Sequence, residues 1–289
     1  MESMAPPPVS THLVTADMSR GLVRKSFRLR DRREPEREWT ALRLLAEFAP
    51  GLSADPIGAD LDADPPVIEM SWLPGTPLGG TPLTDGQATA LAQALNRLWH
   101  AAPAATVVDA FRASPNSSAF LTQVRALLAA ERPVFIAESP GPAEPVEPAT
   151  LLVDQALRAG ARWLAQSRLD RLTGTGLVLG HGDPNLSNYL SDGTGIQIVD
   201  FEDSGPSHRA FELAILVEHR SAWAESQLDA EHFTGRFDLT EPDVVALRQY
   251  RRLAAMYWLI KLLPGRSANH RYSAEVVESQ ARRLLTLVG

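Results

Sequence analysis

The sequence predicts an α+β protein of two lobes: a small β-rich N-terminal lobe with one main helix, and a larger, mostly helical C-terminal lobe. Short apolar runs with strand-like alternation lie before residue 70, whereas apolar residues with helical spacing dominate after residue 84. A third feature lies within the helical part. Residues 176–203, GLVLGHGDPNLSNYLSDGTGIQIVDFED, concentrate acidic and amide side chains in one strand, loop and hairpin.

The composition narrows the class of protein. A chain of 289 residues is long enough for two lobes but short for two independent domains. The formal charge of -7 argues against nucleic acid as the main partner and is compatible with a cationic substrate. With no cysteine there is no disulfide, thiolate nucleophile or Cys-ligated zinc. The start MESMAPPPVS is too polar and Pro-rich for a signal peptide, so we expect a cytoplasmic protein without a membrane partner.

The N-terminal lobe is predicted to begin with strands at 12–14 and 22–29. Alternation in the second strand places Lys25 on its more apolar face. A buried ammonium group needs a partner, although a lysine stem lying along an edge strand is the alternative. Pro35 suits the first turn of the following helix, and the phase of that helix turns Glu38 inward. Glu38 is therefore the predicted partner of Lys25.

A Pro- and Asp-rich connector is predicted at 55–66, followed by a strand at 67–70 that ends at Ser71–Gly75. Helices are then expected at 84–100, 118–130, 150–167, 208–224, 240–263 and 273–288. Thr84 and Gln87 form a capping box, and His100 is interpreted as a packed structural residue. The segment 132–149 is expected to be a loop or mobile flap.

The hairpin decides which polar groups of residues 176–203 meet. Apolar runs at 189–190 and 196–199 flank a turn that contains glycines, so Asn188 returns alongside Asp200 at about 5 Å. An amide oxygen and a carboxylate suit a hard cation such as Mg²⁺. Asp183 lies in the preceding loop, where it faces the same cavity without ligating the metal. The alternative is a polar loop capped by Asx turns.

The pattern H-G-D-x-x-x-x-N, followed by an apolar strand that ends in D-F, resembles the aminoglycoside phosphotransferase and choline-kinase group, which has the protein-kinase-like fold. The resemblance implies that Asp183 orients or deprotonates an acceptor hydroxyl group. It implies that Asn188 and Asp200 hold Mg²⁺ on the phosphates of ATP or GTP. His181 is then a structural residue that fixes the loop.

The same resemblance extends upstream. Lys25 and Glu38 match the ion pair that positions the α and β phosphates. The order V-I-E-M-S-W-L-P-G resembles the hinge between lobes, with Met70 at the entry to the base pocket and backbone groups of Ser71 and Leu73 facing adenine. This implies a nucleotide-binding lobe at residues 1–70, a hinge at 71–76 and a C-terminal lobe at 77–289.

Two further features relate to this family. Glu212 occupies the place of an aspartate that braces the catalytic loop, one methylene longer; a solvated helix-face glutamate is the alternative. The phosphate-covering loop departs from the family, because no glycine-containing loop precedes Lys25. Either residues 10–20 form a shorter lid, or the phosphates are covered less well.

The acceptor groove is expected between the catalytic loop and the C-terminal helices. Its candidate lining residues are Asp203, Glu218, Trp223, Glu225, Tyr257 and Trp258. The leading hypothesis is a small-molecule O-phosphotransferase that modifies an antibiotic, aminoglycoside-like or other. The alternatives are a kinase of an amino alcohol or sugar, a nucleotide-binding pseudokinase, and a metal-dependent phosphohydrolase. The hydrolase would use His181, Asp183, Asn188 and Asp200 as ligands of two metal ions, with His208 or His219 in a second ligand loop.

Overall fold

The computed structural model describes residues 12–28, 31–136, 148–172, 176–263 and 272–289. The N-terminal part is a four-stranded antiparallel sheet with one helix, α1 (Glu34–Phe48). Its strands are β1 (His12–Asp17), β2 (Leu22–Phe27), β3 (Pro56–Asp60) and β4 (Val67–Ser71), in the order β1-β2-β4-β3. Lys25 is paired with Ile68 of β4 in the middle of this sheet, where it is buried.

Strand β3 corrects one prediction, because residues 56–60 were expected to lie in a connector. The strand lies at an edge of the sheet and pairs only with β4 among the described residues. Pro56 is its first residue, a position where the missing N–H group breaks no ladder. The composition of this segment therefore describes an edge strand as well as it describes a loop.

The C-terminal part is mostly helical. Its helices are α2 (Asp85–Trp99), α3 (Ala104–Phe111), α4 (Asn116–Ile136), α5 (Pro148–Gln166), α6 (Arg209–Glu218), α7 (Ala230–Thr234), α8 (Glu241–Leu262) and α9 (Ala274–Val288). Five short strands accompany them: β5 (Thr76–Pro77), β6 (Val178–Gly180), β7 (Tyr189–Ser191), β8 (Ile196–Ile198) and β9 (Gly205–Ser207). Strands β5, β7 and β8 form one sheet, and β6 pairs with β9.

The capping box predicted at Thr84 is present, as is a second one at Thr240. Helices α3 and α7 were not predicted. Helix α4 continues to Ile136, so residues 132–136 are helical where a loop was expected, and residues 137–147 of that segment lie outside the described structure. The helix expected at 208–224 ends at Glu218, because His219 is extended and a π-helical turn follows at Ser221–Glu225.

Helix α6 is the centre of the C-terminal core. Every residue from Ala210 to Glu218 is buried, so the helix is surrounded on all sides, mainly by α8. Several contacts join the C-terminal part to the N-terminal part, and two of them involve the hairpin of β7 and β8. The Ile198 amide donates to the Leu52 carbonyl at 2.8 Å, and β5 leads from β4 directly onto the hairpin strand β7. None of the described helices is both long and apolar enough to cross a membrane.

Candidate active site

The loop after β6 fixes Asp183 through both carboxylate oxygens. Oδ1 accepts the Asn185 amide at 3.0 Å, and Oδ2 accepts the side-chain amide of Asn188 at 2.8 Å. An Asx turn and a side-chain contact therefore hold the carboxylate before any ligand binds. Asp183 and Asn188, predicted to face one cavity, are in direct contact.

Glu212 braces this loop from α6, which is the bracing position that the sequence predicted. One oxygen, Oε2, accepts the amides of His181 at 3.1 Å and Gly182 at 3.2 Å, and Oε1 accepts the Ser207 hydroxyl at 2.5 Å. A Cβ atom at Gly180 would lie 2.4 Å from Oε1. The longer glutamate fits because Gly180 leaves room for it.

His181 lies under the loop with 1% of its surface exposed. Nδ1 faces the Asp183 carbonyl at 2.7 Å, and Nε2 faces the Val199 carbonyl at 2.9 Å. Its ring also packs against Phe201, with centroids 4.8 Å apart. The imidazole thus joins the loop of Asp183 to the strand end before Asp200, which is the structural location that the sequence predicted.

The hairpin has the predicted register. Tyr189 pairs with Ile198, and the Val199 amide donates to the Asn188 carbonyl at 2.9 Å, so Asn188 lies beside the residue preceding Asp200. Asp200 has a left-handed backbone (φ 68°), which is strained for a residue other than glycine. The Asp200 carboxylate contacts the Lys25 ammonium group at 2.5 Å. Strain of this kind concentrates at functional sites.

The residues present fit Mg²⁺. The amide nitrogen of Asn188 donates to Asp183, which leaves the amide oxygen available as a ligand. Asp200 supplies a carboxylate whose side chain is 25% exposed, so the cleft reaches it. One amide oxygen and one carboxylate, with remaining positions left to water and phosphate oxygens, are the donor set that Mg²⁺ prefers.

Lys25 is the cation of the cleft, buried with 3% of its surface exposed. Its ammonium group contacts Glu38 at 2.5 Å, so the partner predicted from helix phase is the one found. Burial alone would lower the pKa of Lys25, but the surrounding carboxylates hold it well above its usual range. The group is therefore a permanent positive charge in the cleft.

Two residues of this cluster were not predicted. Glu202 contacts the Lys25 ammonium at 3.1 Å, and His12 contacts Glu202 at 3.1 Å. Burial opposes the ionisation of Glu202, yet the His12 hydrogen bond and the charge of Lys25 lower its pKa to about 2. The only sequence signal was the position of Glu202, two residues after Asp200.

The predicted hinge follows β4. The Ser71 amide donates to the Asp55 carbonyl at 2.9 Å and the Trp72 amide donates to the Gly21 carbonyl at 2.8 Å. Among the described residues, the Leu73 amide has no hydrogen-bond partner. Met70 is buried in the sheet and packs in the core. These positions are compatible with a base edge at Leu73; its role, and the boundaries at 71–76, stay predictions.

Strands β1 and β2 form a hairpin whose turn spans residues 18–21. Within the described chain, this turn is the available counterpart of the shorter lid expected at residues 10–20. The Asp17 carboxylate accepts the amides of Ser19 at 3.1 Å and Arg20 at 3.2 Å, and Gly21 has a positive φ of 63°. Two backbone donors of the turn are therefore already occupied.

The residues predicted to line the acceptor groove fall into two groups. Asp203 is beside the catalytic loop, because a Cβ atom on Gly182 would lie 2.2 Å from its carbonyl oxygen. Its carboxylate pairs with Arg32 at 2.6 Å. Burial raises the pKa of Asp203, with Arg32 acting in the opposite direction, and Asp183 raises it further. Burial raises the pKa of Tyr257, and the charge of Asp203 raises it further.

The side chains of the other group are already paired with, or packed against, other residues of the protein. Glu218 is 0% exposed and bound to Arg251 and Arg283, so its expected place in the groove is wrong. Glu225 pairs with Arg220, and the Trp223 ring lies 5.2 Å from the Arg283 guanidinium. The remaining predicted groove residue, Trp258, packs edge-on against His219. Helix phase could not reveal Arg251 and Arg283 as partners of Glu218, because they come from the distant helices α8 and α9.

Comparison with known proteins gives a family and a fold. Residues 10–254 match the phosphotransferase enzyme family, and no curated protein matches the chain. A spectinomycin phosphotransferase bound to ADP and spectinomycin is similar, with 14% identity, a TM-score of 0.59, and coverage of 92% of this chain and 84% of that one.

Two kinases of small metabolites are equally similar. A choline/ethanolamine kinase family protein from Mesorhizobium loti has 17% identity and a TM-score of 0.58, covering 97% of this chain and 86% of that one. An ethanolamine kinase from Plasmodium vivax has 16% identity and a TM-score of 0.61, covering 97% of this chain and 80% of that one. At these identities the structural likeness establishes the fold alone.

The fold and the site define a two-lobed, kinase-like phosphotransferase, an enzyme with an alcohol group as acceptor. The chain belongs to the phosphotransferase enzyme family. The resemblance inferred from the sequence, the predicted fold class and the predicted class of enzyme are thereby confirmed.

Proposed function

We propose that the chain transfers the γ-phosphoryl group of ATP or GTP to a hydroxyl group of a small-molecule antibiotic, aminoglycoside-like or other. The observation that carries the proposal is the fixed pair of Asp183 and Asn188, 2.8 Å apart, next to the Lys25–Asp200 contact of 2.5 Å. A base, an amide ligand, a carboxylate ligand and a buried cation then face one cleft. These are the parts that phosphoryl transfer needs.

In the proposed reaction Asp183 orients the acceptor hydroxyl and takes its proton as the oxygen attacks the γ-phosphorus. The bond between that phosphorus and the bridging oxygen breaks, and the nucleoside diphosphate leaves. Asn188 and Asp200 would hold Mg²⁺, which would supply neutralisation of the phosphate charge. Lys25 holds the α and β phosphates, with Glu38 fixing its stem. Positioning and electrostatics supply most of the catalysis.

The nucleotide is supported by the neighbours crystallised with ADP or AMP. Met70 is the proposed residue at the entry to the base pocket, and the Ser71 and Leu73 backbone is the proposed contact for the base edge. The residue assignments come from the sequence pattern and the contacts described above.

A metabolite kinase is the second candidate, because similar structures include the choline and ethanolamine kinases. Asp203 and Tyr257 are the proposed acceptor-side residues for either substrate class. The Asp203 carboxylate suits an acceptor that bears an amine. The two candidates therefore differ in the acceptor and not in the catalytic residues.

The test is a panel of hydroxylated antibiotics and amino alcohols, scored for acceptor-dependent release of nucleoside diphosphate. Asp183→Ala should lower turnover at least about 10²-fold, because a positioned base is lost, while Mg²⁺–nucleotide binding stays within about twofold. Asp200→Ala should instead weaken Mg²⁺–nucleotide binding. Asp109→Ala, an exposed position on α3, is the control.

Loss of both turnover and nucleotide binding in Asp183→Ala would contradict the role of that residue. A Mg²⁺ dependence that Asp200→Ala leaves unchanged would remove Asp200 from the ligand set. Nucleotide binding without turnover on any acceptor would favour a pseudokinase, and acceptor-independent release of phosphate would favour a hydrolase.

A further inference from the structure

A second cavity lies between α4 and α5, and none of its lining residues belongs to the candidate active site. Both helices pack against α8, and residues of both line a space of about 620 Å³. Small-molecule sites in proteins commonly have volumes of roughly 300–1,000 Å³. This cavity, the α4–α5 groove, therefore has room for a ligand of that size.

The apolar surface of the α4–α5 groove is aliphatic. Leu157 and Leu164 are buried, and Leu128 is partly buried against the same core. Ala161 and Ala165 complete this surface with side chains too short to fill the groove. The described residues that line the groove include no aromatic ring on which a flat ligand would stack. The surface therefore fits a flexible aliphatic chain better than a planar ring system.

The polar surface of the same groove is basic. Arg125 of α4 and Arg158 and Arg162 of α5 line it. Arg158 is paired with Asp154, one turn earlier on α5, at 2.7 Å. Within the described chain, the exposed guanidinium groups of Arg125 and Arg162 form neither an ion pair nor a hydrogen bond. Because the whole chain has a formal charge of -7, two unneutralised cations beside one apolar groove indicate an anionic ligand.

We propose that the α4–α5 groove binds a single-chain aliphatic carboxylate. Arg125 and Arg162 hold the carboxylate, because the planar guanidinium group matches its geometry and charge. The aliphatic chain lies on the leucine and alanine surface, where its burial supplies most of the affinity. No residue of this site takes part in the proposed phosphoryl transfer, so the proposal does not rest on that function.

The experiment is isothermal titration calorimetry of the full chain with decanoate, kept below its critical micelle concentration. Octanoate should bind about 4- to 15-fold more weakly than decanoate, because each buried methylene contributes about two- to fourfold in affinity. Hexanoate should be weaker again by a similar factor. Decyltrimethylammonium has the same chain with a cationic head group, and it should bind at least about fivefold more weakly than decanoate.

Two variants separate the charges from the apolar surface, and both introduce residues of high helix propensity. Arg125→Gln combined with Arg162→Gln should lower decanoate affinity about fivefold or more, because two exposed ion pairs are lost. Ala165→Leu keeps both charges but fills part of the groove, so it should weaken decanoate binding about threefold or more. Arg248→Gln is the matched control, since Arg248 is an exposed arginine of α8 that does not line the groove.

Equal decanoate affinities in the wild type and both groove variants would overturn the proposal. So would a wild-type chain that does not bind decanoate, that binds decyltrimethylammonium as tightly, or that does not distinguish hexanoate from decanoate. Binding to anionic lipid vesicles without binding to monomeric decanoate would indicate a membrane surface as the partner and would also overturn it. These measurements involve neither nucleotide nor acceptor, so failure of every acceptor would count against the proposed function alone.

Discussion

Two buried charge clusters in this molecule have opposite arrangements of charge. In the cleft cluster, defined as Lys25, Glu38, Asp200 and Glu202, one cation meets three carboxylates. In the helix-core cluster, defined as Glu218, Arg251 and Arg283, one carboxylate meets two guanidinium groups. Both are charge-assisted networks that join distant parts of the chain.

The clusters differ in what else can reach them. Glu218 is 0% exposed, and its partners come from α8 and α9, so the helix-core cluster binds helices to helices. The Asp200 side chain is 25% exposed, so solvent reaches it, and under the proposed function phosphates and a metal ion replace its contact with Lys25. The comparison teaches that a buried charge pair does not by itself identify a functional site, because the fully enclosed helix-core cluster is also such a pair.

Glu218→Ala should give the largest effect on stability. It leaves the Arg251 and Arg283 guanidinium groups without their shared buried partner, which costs about 3–5 kcal/mol of unfolding free energy. Urea denaturation followed by circular dichroism measures this. The specific activity of the folded fraction should change little.

The matched control for this prediction is Glu231→Ala. Glu231 also contacts Arg251, but its side chain is 84% exposed, so its loss should cost at most about 1 kcal/mol. Equal losses for Glu218→Ala and Glu231→Ala would show that the helix-core cluster contributes no more than a surface pair.

Lys25→Met should affect activity more than stability, which is the reverse of Glu218→Ala. We expect kcat to fall about 10²–10³-fold, because a charge aimed at the phosphates is removed. The stability loss should be smaller than for Glu218→Ala, since Glu38 can take up a proton and the other carboxylates reach water. Steady-state kinetics and urea denaturation give the two numbers for the same sample.

Arg24→Met is the control for Lys25→Met. Arg24 precedes Lys25 on β2 but points to the other face, where its exposed side chain pairs with Glu69. Its kinetic constants should stay near those of the wild type. A comparable loss of kcat in both variants would mean that the strand, and not the ammonium group, is what the reaction needs.

The two clusters also show which contacts could be predicted from the sequence. Lys25 and Glu38 could be paired in advance because strand alternation and helix phase each specify one inward face. The hairpin likewise placed Asn188 near Asp200, since its register follows from local turn chemistry. In both cases a local sequence pattern was enough for the prediction: periodicity for Lys25 and Glu38, and the turn residues for the hairpin.

Periodicity does not specify which distant elements meet. Glu218 was assigned to the acceptor groove, whereas Arg251 and Arg283, 33 and 65 residues away, enclose it. His12 and Glu202 were missed for the same reason. Strand β3 was read as a connector because an edge strand tolerates proline. Element types and local pairs were therefore predictable, and contacts set by packing were not.

The pH dependence of stability that His219 contributes is the smallest of the predicted effects. Burial, and to a lesser extent the neighbouring Arg220 charge, lowers the pKa of His219 from 6.5 to about 3. The unfolded chain takes up a proton below pH 6.5, whereas the folded chain keeps the ring neutral until near pH 3. Stability from this group is therefore complete above pH 6.5 and declines as the pH falls.

Between about pH 8 and pH 5 this loss should amount to about 2 kcal/mol. Urea denaturation at both pH values should show it in the wild type, while His219→Gln, which keeps an acceptor for Ser221, should lose about 2 kcal/mol less. Other titrating groups are common to both proteins, so they cancel in the difference. Parallel pH profiles would contradict a buried neutral His219. The effect should appear in the free energy of unfolding.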